Sequence, residues 1–485
     1  MKILIAMPPL KGPGTPQIGQ NRQFQWFDGC SVIYPVVPAY AATLLKNNNY
    51  EVIWFDALAE EESYKNFTEK IKEISPDLIA IETKTPVIKQ HWKVINELKT
   101  LLPETKLVLF GDHVTALPEE SLENSKVDFI LTGGDYDFLL LNLANHLTKK
   151  EELEPGIFYR EEKKIKNTGK FELNHDLNSL PLIDRELTKW NLYAYKNGNY
   201  KYTPGAYTMA GRDCWWGKCK FCSWPTLYPQ FRTRSPEKLF EEIQFLVKNY
   251  KIKEIMDDSG TFPVGDWLKK FCSLMIESKL NKKVKISCNM RFGTLKLEDY
   301  KLMKKAGFRF ILYGLESANQ NTLDRINKGI KVEDIKEGCK WAKTAGLAPH
   351  LTCMMGYPWE TLSDAKNTIA LAKDIFNSGF ADTLQATIVI PYPGTPLYKE
   401  CKENNWLLYD GIKGWSHYDM REKVMFSELT ESQIKEFTRE LYKLFFSLKY
   451  ITRKLLEIRD INDLKFIKRG IKQIFKHLSD FGGKK

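Results

Sequence analysis

The chain has 485 residues, 43% apolar and 27% charged, which is the composition of a folded globular protein and too long for one ordinary core. At roughly 100–200 residues per domain, about three domains are expected. There is no run of ~18 apolar residues, and the N-terminus opens on the strand-like Met1-Lys2-Ile3-Leu4-Ile5 rather than a signal peptide, so a cytoplasmic location is expected. Nine cysteines, clustered rather than regularly paired, fit a reducing compartment better than a disulfide framework. The formal net charge of +11 comes from lysines scattered over the whole chain, and no nucleic-acid partner is expected from it.

Residues 1–150 alternate short apolar runs with amphipathic segments, the signature of βαβ units. The pattern predicts strands at Lys2–Met7, Glu51–Asp56, Leu78–Glu82, Lys106–Gly111 and Phe129–Thr132. It predicts helices at Val37–Asn48, Tyr64–Ile74, Val87–Leu101, Pro118–Ser125 and Asp137–Leu147. A doubly wound sheet of this kind binds ligands at the carboxyl ends of its strands. The loop after the first strand, Pro8-Pro9-Leu10-Lys11-Gly12-Pro13-Gly14, lacks the G-x-G-x-x-G spacing of a dinucleotide site. The fourth strand ends in Gly111-Asp112-His113-Val114-Thr115 and the fifth in Thr132-Gly133-Gly134-Asp135. Residues 151–205 read as a connector, with a charged strand pair around Gly156–Lys170 followed by Leu180-Pro181-Leu182-Ile183-Asp184-Arg185.

From about 206 to 400 the alternation resumes for six units. The first strand, Ala206–Ala210, runs into Arg212-Asp213-Cys214-Trp215-Trp216-Gly217-Lys218-Cys219-Lys220-Phe221-Cys222. Three thiolates on one loop suit a soft metal or three corners of an iron–sulfur cluster. Zinc normally takes four ligands in a structural site, and no fourth is evident. The next strand ends are Asp257-Asp258-Ser259-Gly260, Met290-Arg291, Gly314-Leu315-Glu316-Ser317, Gly356-Tyr357-Pro358-Trp359-Glu360-Thr361 and Pro391-Tyr392-Pro393-Gly394-Thr395-Pro396. Residues 401–485 are basic, with Leu, Ile and Phe at helical spacing over Glu428–Tyr450 and Ile451–Leu478.

The cysteine loop, C-x4-C-x2-C with an aromatic between the last two cysteines, resembles the cluster loop of the radical S-adenosylmethionine (radical SAM) superfamily, with one residue more than the usual C-x3-C-x2-C. The later strand ends resemble, in order, the glycine-rich, G-x-E-S, G-x-P-x-E-T and P-x-P-G-T segments of that family. The loops at Gly111 and Thr132 resemble those of the cobalamin-binding domain that precedes the radical core in one branch. The resemblance implies an α/β fold: an N-terminal doubly wound, Rossmann-like cobalamin-binding domain (1–150), the connector (151–205), a partial (β/α)6 barrel (206–400) and a mostly helical extension (401–485).

It further implies that Cys214, Cys219 and Cys222 hold a [4Fe-4S] cluster, and that Phe221, Asp257, Asp258, Ser259, Arg291 and Glu316 contact S-adenosylmethionine. Pro9, Gly111, His113, Thr115, Thr132 and Gly133 would contact cobalamin. Because no D-x-H-x-x-G is present, cobalamin would be held without a protein imidazole on cobalt. The implied activity is reductive cleavage of S-adenosylmethionine to a 5′-deoxyadenosyl radical, with cobalamin serving methyl transfer to an unactivated carbon. Cyclisation or rearrangement is the alternative within enzymes, and a non-catalytic cobalamin sensor the alternative outside them. A methylthiotransferase needs three further N-terminal cysteines, and only Cys30 lies there. The expected partners are a small-molecule, lipid or peptide substrate and an external one-electron reductant of flavodoxin or ferredoxin type. The basic tail is expected first to cap the open side of the barrel; the alternative is that its face around Lys465, Lys468, Arg469, Lys472 and Lys476 rests on the anionic inner membrane face and brings the active site to a lipid substrate.

Overall fold

The computed structural model describes residues 1–18, 24–27, 32–162 and 164–481; Cys30 lies outside the described residues. The N-terminal sheet has seven strands, and counted along the chain their order is second, first, third, fourth, fifth, sixth, seventh. The first five are Lys2–Met7, Glu51–Asp56, Leu78–Glu82, Lys106–Phe110 and Phe129–Leu131, all parallel. Their Ile-, Leu- and Val-rich runs are buried on both faces beneath flanking helices, as a parallel sheet requires. The strand order reverses between the first and third strands, so a ligand crevice is expected at their carboxyl ends.

The boundary expected at residue 150 falls inside this sheet. Ile157–Glu161 and Lys164–Asn167, read from the sequence as part of a connector, add to it as antiparallel strands, Ile157 pairing with Leu131. A short helix, Asp112–Ala116, also follows the fourth strand directly, where the sequence suggests only a loop.

The second sheet has six strands in sequential order: Gly205–Thr208, Glu254–Asp257, Lys285–Met290, Phe308–Glu316, Ala348–Met355 and Thr383–Ile388. All are parallel, and the helices between them make an open half-barrel whose strand ends face one mouth. The helix starts carry their own signals: Ser235 accepts from Lys238 N, and Thr361 forms a reciprocal capping box with Asp364.

The tail forms three helices, Glu431–Lys443, Leu448–Leu456 and Ile461–Asp480, rather than the two long ones expected. The breaks fall where Ser447 and Asp460 cap new helices. The first helix closes the outer edge of the sheet: the Tyr442 hydroxyl accepts from Ala386 N and donates to Ala386 O, each at 3.0 Å.

Candidate active site

The cysteine loop is closed by a two-residue antiparallel stem, Gly211–Arg212 against Arg232–Thr233, so the cysteines hang from a fixed base at the barrel mouth. Cys214, Cys219 and Cys222 are partly exposed, whereas the other five described cysteines are buried. Burial pushes the thiols of Cys272 and Cys401 up to about 12, so those groups are held protonated and inert. Burial also raises the Cys219 thiol, but Lys328 and Arg291 beside it oppose the shift and favour the thiolate. Cys214 Sγ lies 3.1 Å from Thr261 Oγ1, which anchors it to the end of the second barrel strand. Among the described residues no three His, Cys, Asp or Glu side chains are close enough to hold a single ion. Three cysteine thiolates on one stem-fixed loop are the donor chemistry of an iron–sulfur cluster, whose thiolates sit on separate irons.

The strand ends surround that loop. Asp257 is 1% exposed and its oxygens are both committed, Oδ2 to Thr208 Oγ1 and Ala210 N, Oδ1 to Ser259 N and Oγ. Ser259 Oγ in turn accepts from Gly211 N. Asp257 and Ser259, expected as ligand contacts, therefore brace the loop stem through saturated hydrogen bonding. Asp258 follows at the strand end, its N donating to Thr208 O at 2.9 Å.

Arg291, expected as a ligand contact, is engaged by the protein itself. Its guanidinium lies 5.3 Å and 4.5 Å from the Trp215 and Trp216 rings, donates to Lys328 O at 2.5 Å and reaches Cys219 Sγ at 3.9 Å. The extra residue of the cysteine loop is accommodated here, with Trp216 Nε1 donating to Asn327 O at 2.8 Å. Glu316 adopts a positive φ of 60° and meets Lys328 Nζ at 2.7 Å; burial disfavours the charge on Lys328, but Glu316 and Cys219 outweigh it and raise its pKa. Phe221 lies against the same lysine, 5.7 Å from ring centroid to Nζ. Lys328 was not singled out from sequence, because it lies on a turn with no motif of its own.

On the N-terminal domain a cavity sits at the reversal of strand order, lined by Met7, Ile18, Val32, Asp56, Leu58 and Glu82. Burial raises the Glu82 carboxyl to about 7, against the opposing charge of Lys84. Pro9, just beyond the first strand, adjoins this end of the sheet. His113 is buried and both ring nitrogens are engaged, with Thr85 Oγ1 at 3.1 Å and Glu120 Oε2 at 2.9 Å. It braces the strand end instead of offering an imidazole. Gly111, Thr115 and Gly133 form one path: Thr115 Oγ1 donates to Gly111 O at 2.7 Å and accepts from Gly133 N at 3.1 Å, while Thr132 Oγ1 donates to Gly156 O. The crevice lies at the strand ends where a doubly wound sheet takes its ligands, with Asp56 and Glu82 set in an otherwise mostly apolar wall.

The two domains pack closely beside the cysteine loop. A Cβ on Gly394, in the sixth barrel loop, would lie 2.6 Å from Thr226 Cγ2 and 2.9 Å from Ala116 Cβ of the first domain. A Cβ on Gly134 would overlap the Tyr228 ring at 1.8 Å, so only glycine permits this approach.

Comparison with known proteins agrees with this layout. The Radical SAM superfamily profile matches residues 210–372 and the B12 binding domain profile residues 31–138. An uncharacterised methyltransferase of Pyrococcus horikoshii is 27% identical over 98% of both chains. The anaerobic magnesium-protoporphyrin IX monomethyl ester cyclase of Cereibacter sphaeroides is 27% identical over 76% of this chain and 60% of that one. The fold matches that of the radical SAM methyltransferase TsrM of Kitasatospora setae, solved with cobalamin and a [4Fe-4S] cluster, at a TM-score of 0.69 and 14% identity over 91% of this chain and 88% of that one. The chain thus joins a B12 binding domain to a Radical SAM superfamily domain, and the cofactors that go with these two domains are cobalamin, a [4Fe-4S] cluster and S-adenosylmethionine.

Proposed function

We propose that the protein is a radical SAM methyltransferase that uses cobalamin to methylate an unactivated carbon of a small-molecule substrate. The observation that carries this reading is the cysteine loop at the half-barrel mouth, stem-fixed and packed directly against the strand ends of the cobalamin-binding domain. The cofactors supply reductive cleavage of S-adenosylmethionine and a transferable methyl group. Cys214, Cys219 and Cys222 hold the cluster and leave one iron for the ligand. Asp258, Glu316 and Phe221 are assigned to the S-adenosylmethionine pocket, with Lys328 fixing Glu316. Asp257, Ser259 and Arg291 act one step back, holding the loop that carries the thiolates. The crevice beside Pro9 and Glu82 takes cobalamin, and Gly111, His113, Thr115, Thr132 and Gly133 shape its far side. An external one-electron donor of flavodoxin or ferredoxin type completes the system.

The test is anaerobic. Reconstituted protein incubated with hydroxocobalamin, S-adenosylmethionine and a strong reductant should release both S-adenosylhomocysteine and 5′-deoxyadenosine. 5′-Deoxyadenosine alone would favour cyclisation or rearrangement, the activity class of the Cereibacter relative. Neither product, or unchanged products from the Cys214→Ala, Cys219→Ala, Cys222→Ala variant, overturns the assignment.

The tail supports a peripheral contact with an anionic bilayer. Leu448 and Leu456 are 82% and 81% exposed, and Phe446 meets Phe475 at 5.5 Å, joining two outward apolar faces. Ile461, Leu464 and Ile471 continue the patch, and Lys465, Lys468 and Lys472 share the exposed face of the last helix. This is the arrangement of an interfacial helix, with apolar side chains entering the headgroup region and lysines meeting lipid phosphates. Among the described residues no helix is long and apolar enough to cross a membrane. The protein should sediment with phosphatidylglycerol vesicles at low salt and lose this with Leu448→Ser and Leu456→Ser; absence of native binding would refute it.

A further inference from the structure

The stem of the cysteine loop carries two arginines directly opposite each other, Arg212 and Arg232, and both turn towards the first domain. Arg212 donates to Asp137 Oδ1 at 2.9 Å, to Asp137 Oδ2 at 2.5 Å and to Asp135 Oδ1 at 3.0 Å. Arg232 grips Asp135 from the other side, at 2.5 Å to Oδ1 and 2.9 Å to Oδ2, and donates to His175 O at 3.0 Å. His175 Nδ1 lies 3.1 Å from Asp135 Oδ2, and its Nε2 lies 3.0 Å from Glu154 Oε2. Arg212, Asp135 and Asp137 are 2%, 1% and 0% exposed, so this end of the network is sealed from water.

The aspartates stand at the end of the fifth strand and the first turn of the helix Tyr136–Lys149, immediately after Thr132-Gly133-Gly134. Backbone contacts continue the junction. Gly134 N donates to Leu227 O at 3.0 Å, and the Tyr228 hydroxyl donates to Gly134 O at 3.1 Å. Gly133 N in turn reaches Thr115, and Thr115 reaches Gly111, at the end of the fourth strand. An unbroken chain of hydrogen bonds therefore runs from the strand ends of the first domain to the base from which the three cysteines hang.

Buried ion pairs add little stability over well-packed apolar groups, because desolvation offsets the Coulomb attraction; what they do fix is geometry. Two arginines and two carboxylates at a stem whose first strand ends immediately before Asp213-Cys214 are thus better explained by alignment than by adhesion.

We propose that Asp135 and Asp137 are positioning residues that hold the cluster loop through Arg212 and Arg232, and so couple occupancy of the cobalamin site to the state of the cluster. The coupling rests on the proposed cofactor sites. It is also reciprocal: if cobalamin favours one setting of the stem, a loaded cluster favours cobalamin by the same factor.

The experiment uses full-length protein and hydroxocobalamin titrations of the apo and iron–sulfur-reconstituted forms, with the EPR spectrum of the reduced cluster as a second readout. In the native protein the cobalamin Kd should differ at least about fivefold between the two forms, and cobalamin should alter the EPR signal. In Asp137→Asn and Asp135→Asn both responses should collapse, to within about twofold for Kd, while each cofactor still binds alone. Equal affinities in the native protein, or a native-sized response in the variants, overturns the proposal. If both aspartate variants fail to fold, Arg232→Gln, at the less buried end of the stem, decides by the same readouts. Native protein that takes up neither cofactor fails the functional reading; uptake of both without coupling fails only this inference.

Discussion

Lys328 donates to Glu316 at 2.7 Å, and neither side chain is more than 9% exposed. A buried pair of this kind is costly to break from one side, because the remaining charge has no water to turn to. Lys328→Met should therefore lower stability by about 3 kcal/mol in urea unfolding. Glu316→Gln combined with Lys328→Met should recover most of that loss. A double variant as unstable as the sum of the single changes would show that the two residues do not act as a pair.

Gly329 tests the tryptophan clamp. Its φ is +64°, and a Cβ there would fall 2.2 Å from the Trp216 ring. Gly329→Ala should push Trp216 off Arg291 and cost about 1–3 kcal/mol. Tryptophan emission should shift to the red as the indole becomes wetter, and an unshifted spectrum would count against the clamp.

His175 gives the interdomain junction a pH dependence. Burial disfavours its charge, but Asp135 and Glu154 outweigh that and lift it to about 9. The protonated ring is thus bound more tightly in the folded state, so its stabilisation is full below ~6.5, the ordinary histidine value, and is lost as pH rises through 9. Because the ring is partly solvated, the loss should be on the order of 1 kcal/mol. Melting temperature should fall over that window in the native protein and stay flatter in His175→Gln.

Glu82 works in the same direction at lower pH. Burial raises its carboxyl to about 7, so the folded state holds a proton that the unfolded chain releases near ~4.3. Stability drawn from this group declines between those values. Glu82→Gln should raise stability at pH 8 by on the order of 1–3 kcal/mol and change little at pH 4. Equal melting curves at pH 8 would mean that Glu82 ionises freely in the crevice.

Much of this architecture is legible in the chain itself. The strands Lys2–Met7, Glu51–Asp56 and Leu78–Glu82 fall where their apolar runs predict, because a strand buried on both faces leaves a continuous signal. The strand pair after Gly156 was readable as a pair but not as part of the first sheet, since its exposed charged residues resemble any surface hairpin. The positions of the three cysteines and of Asp257 at strand ends are legible in the chain, but the direction of a side chain there is not, so the commitment of both Asp257 oxygens to Thr208, Ala210 and Ser259 appears only in the structure. The partners of Arg212 lie 75 and 77 residues away, and no local pattern announces such a contact. Lys328 was hidden in a turn for the same reason, and the partners of Trp216, Arg291 and Asn327, lie far from it in sequence.

The Tyr442 hydroxyl on Ala386 has a further consequence. An open parallel sheet ends in a strand whose outward N–H and C=O groups are a ready template for another chain. At Ala386 one phenol occupies both groups at once, and the helix that carries it shields the neighbouring backbone. The segment after residue 428 thereby acts as a guard against edge-to-edge aggregation, and a chain cut before it would keep its cysteines and strand ends yet be prone to stack sheet upon sheet.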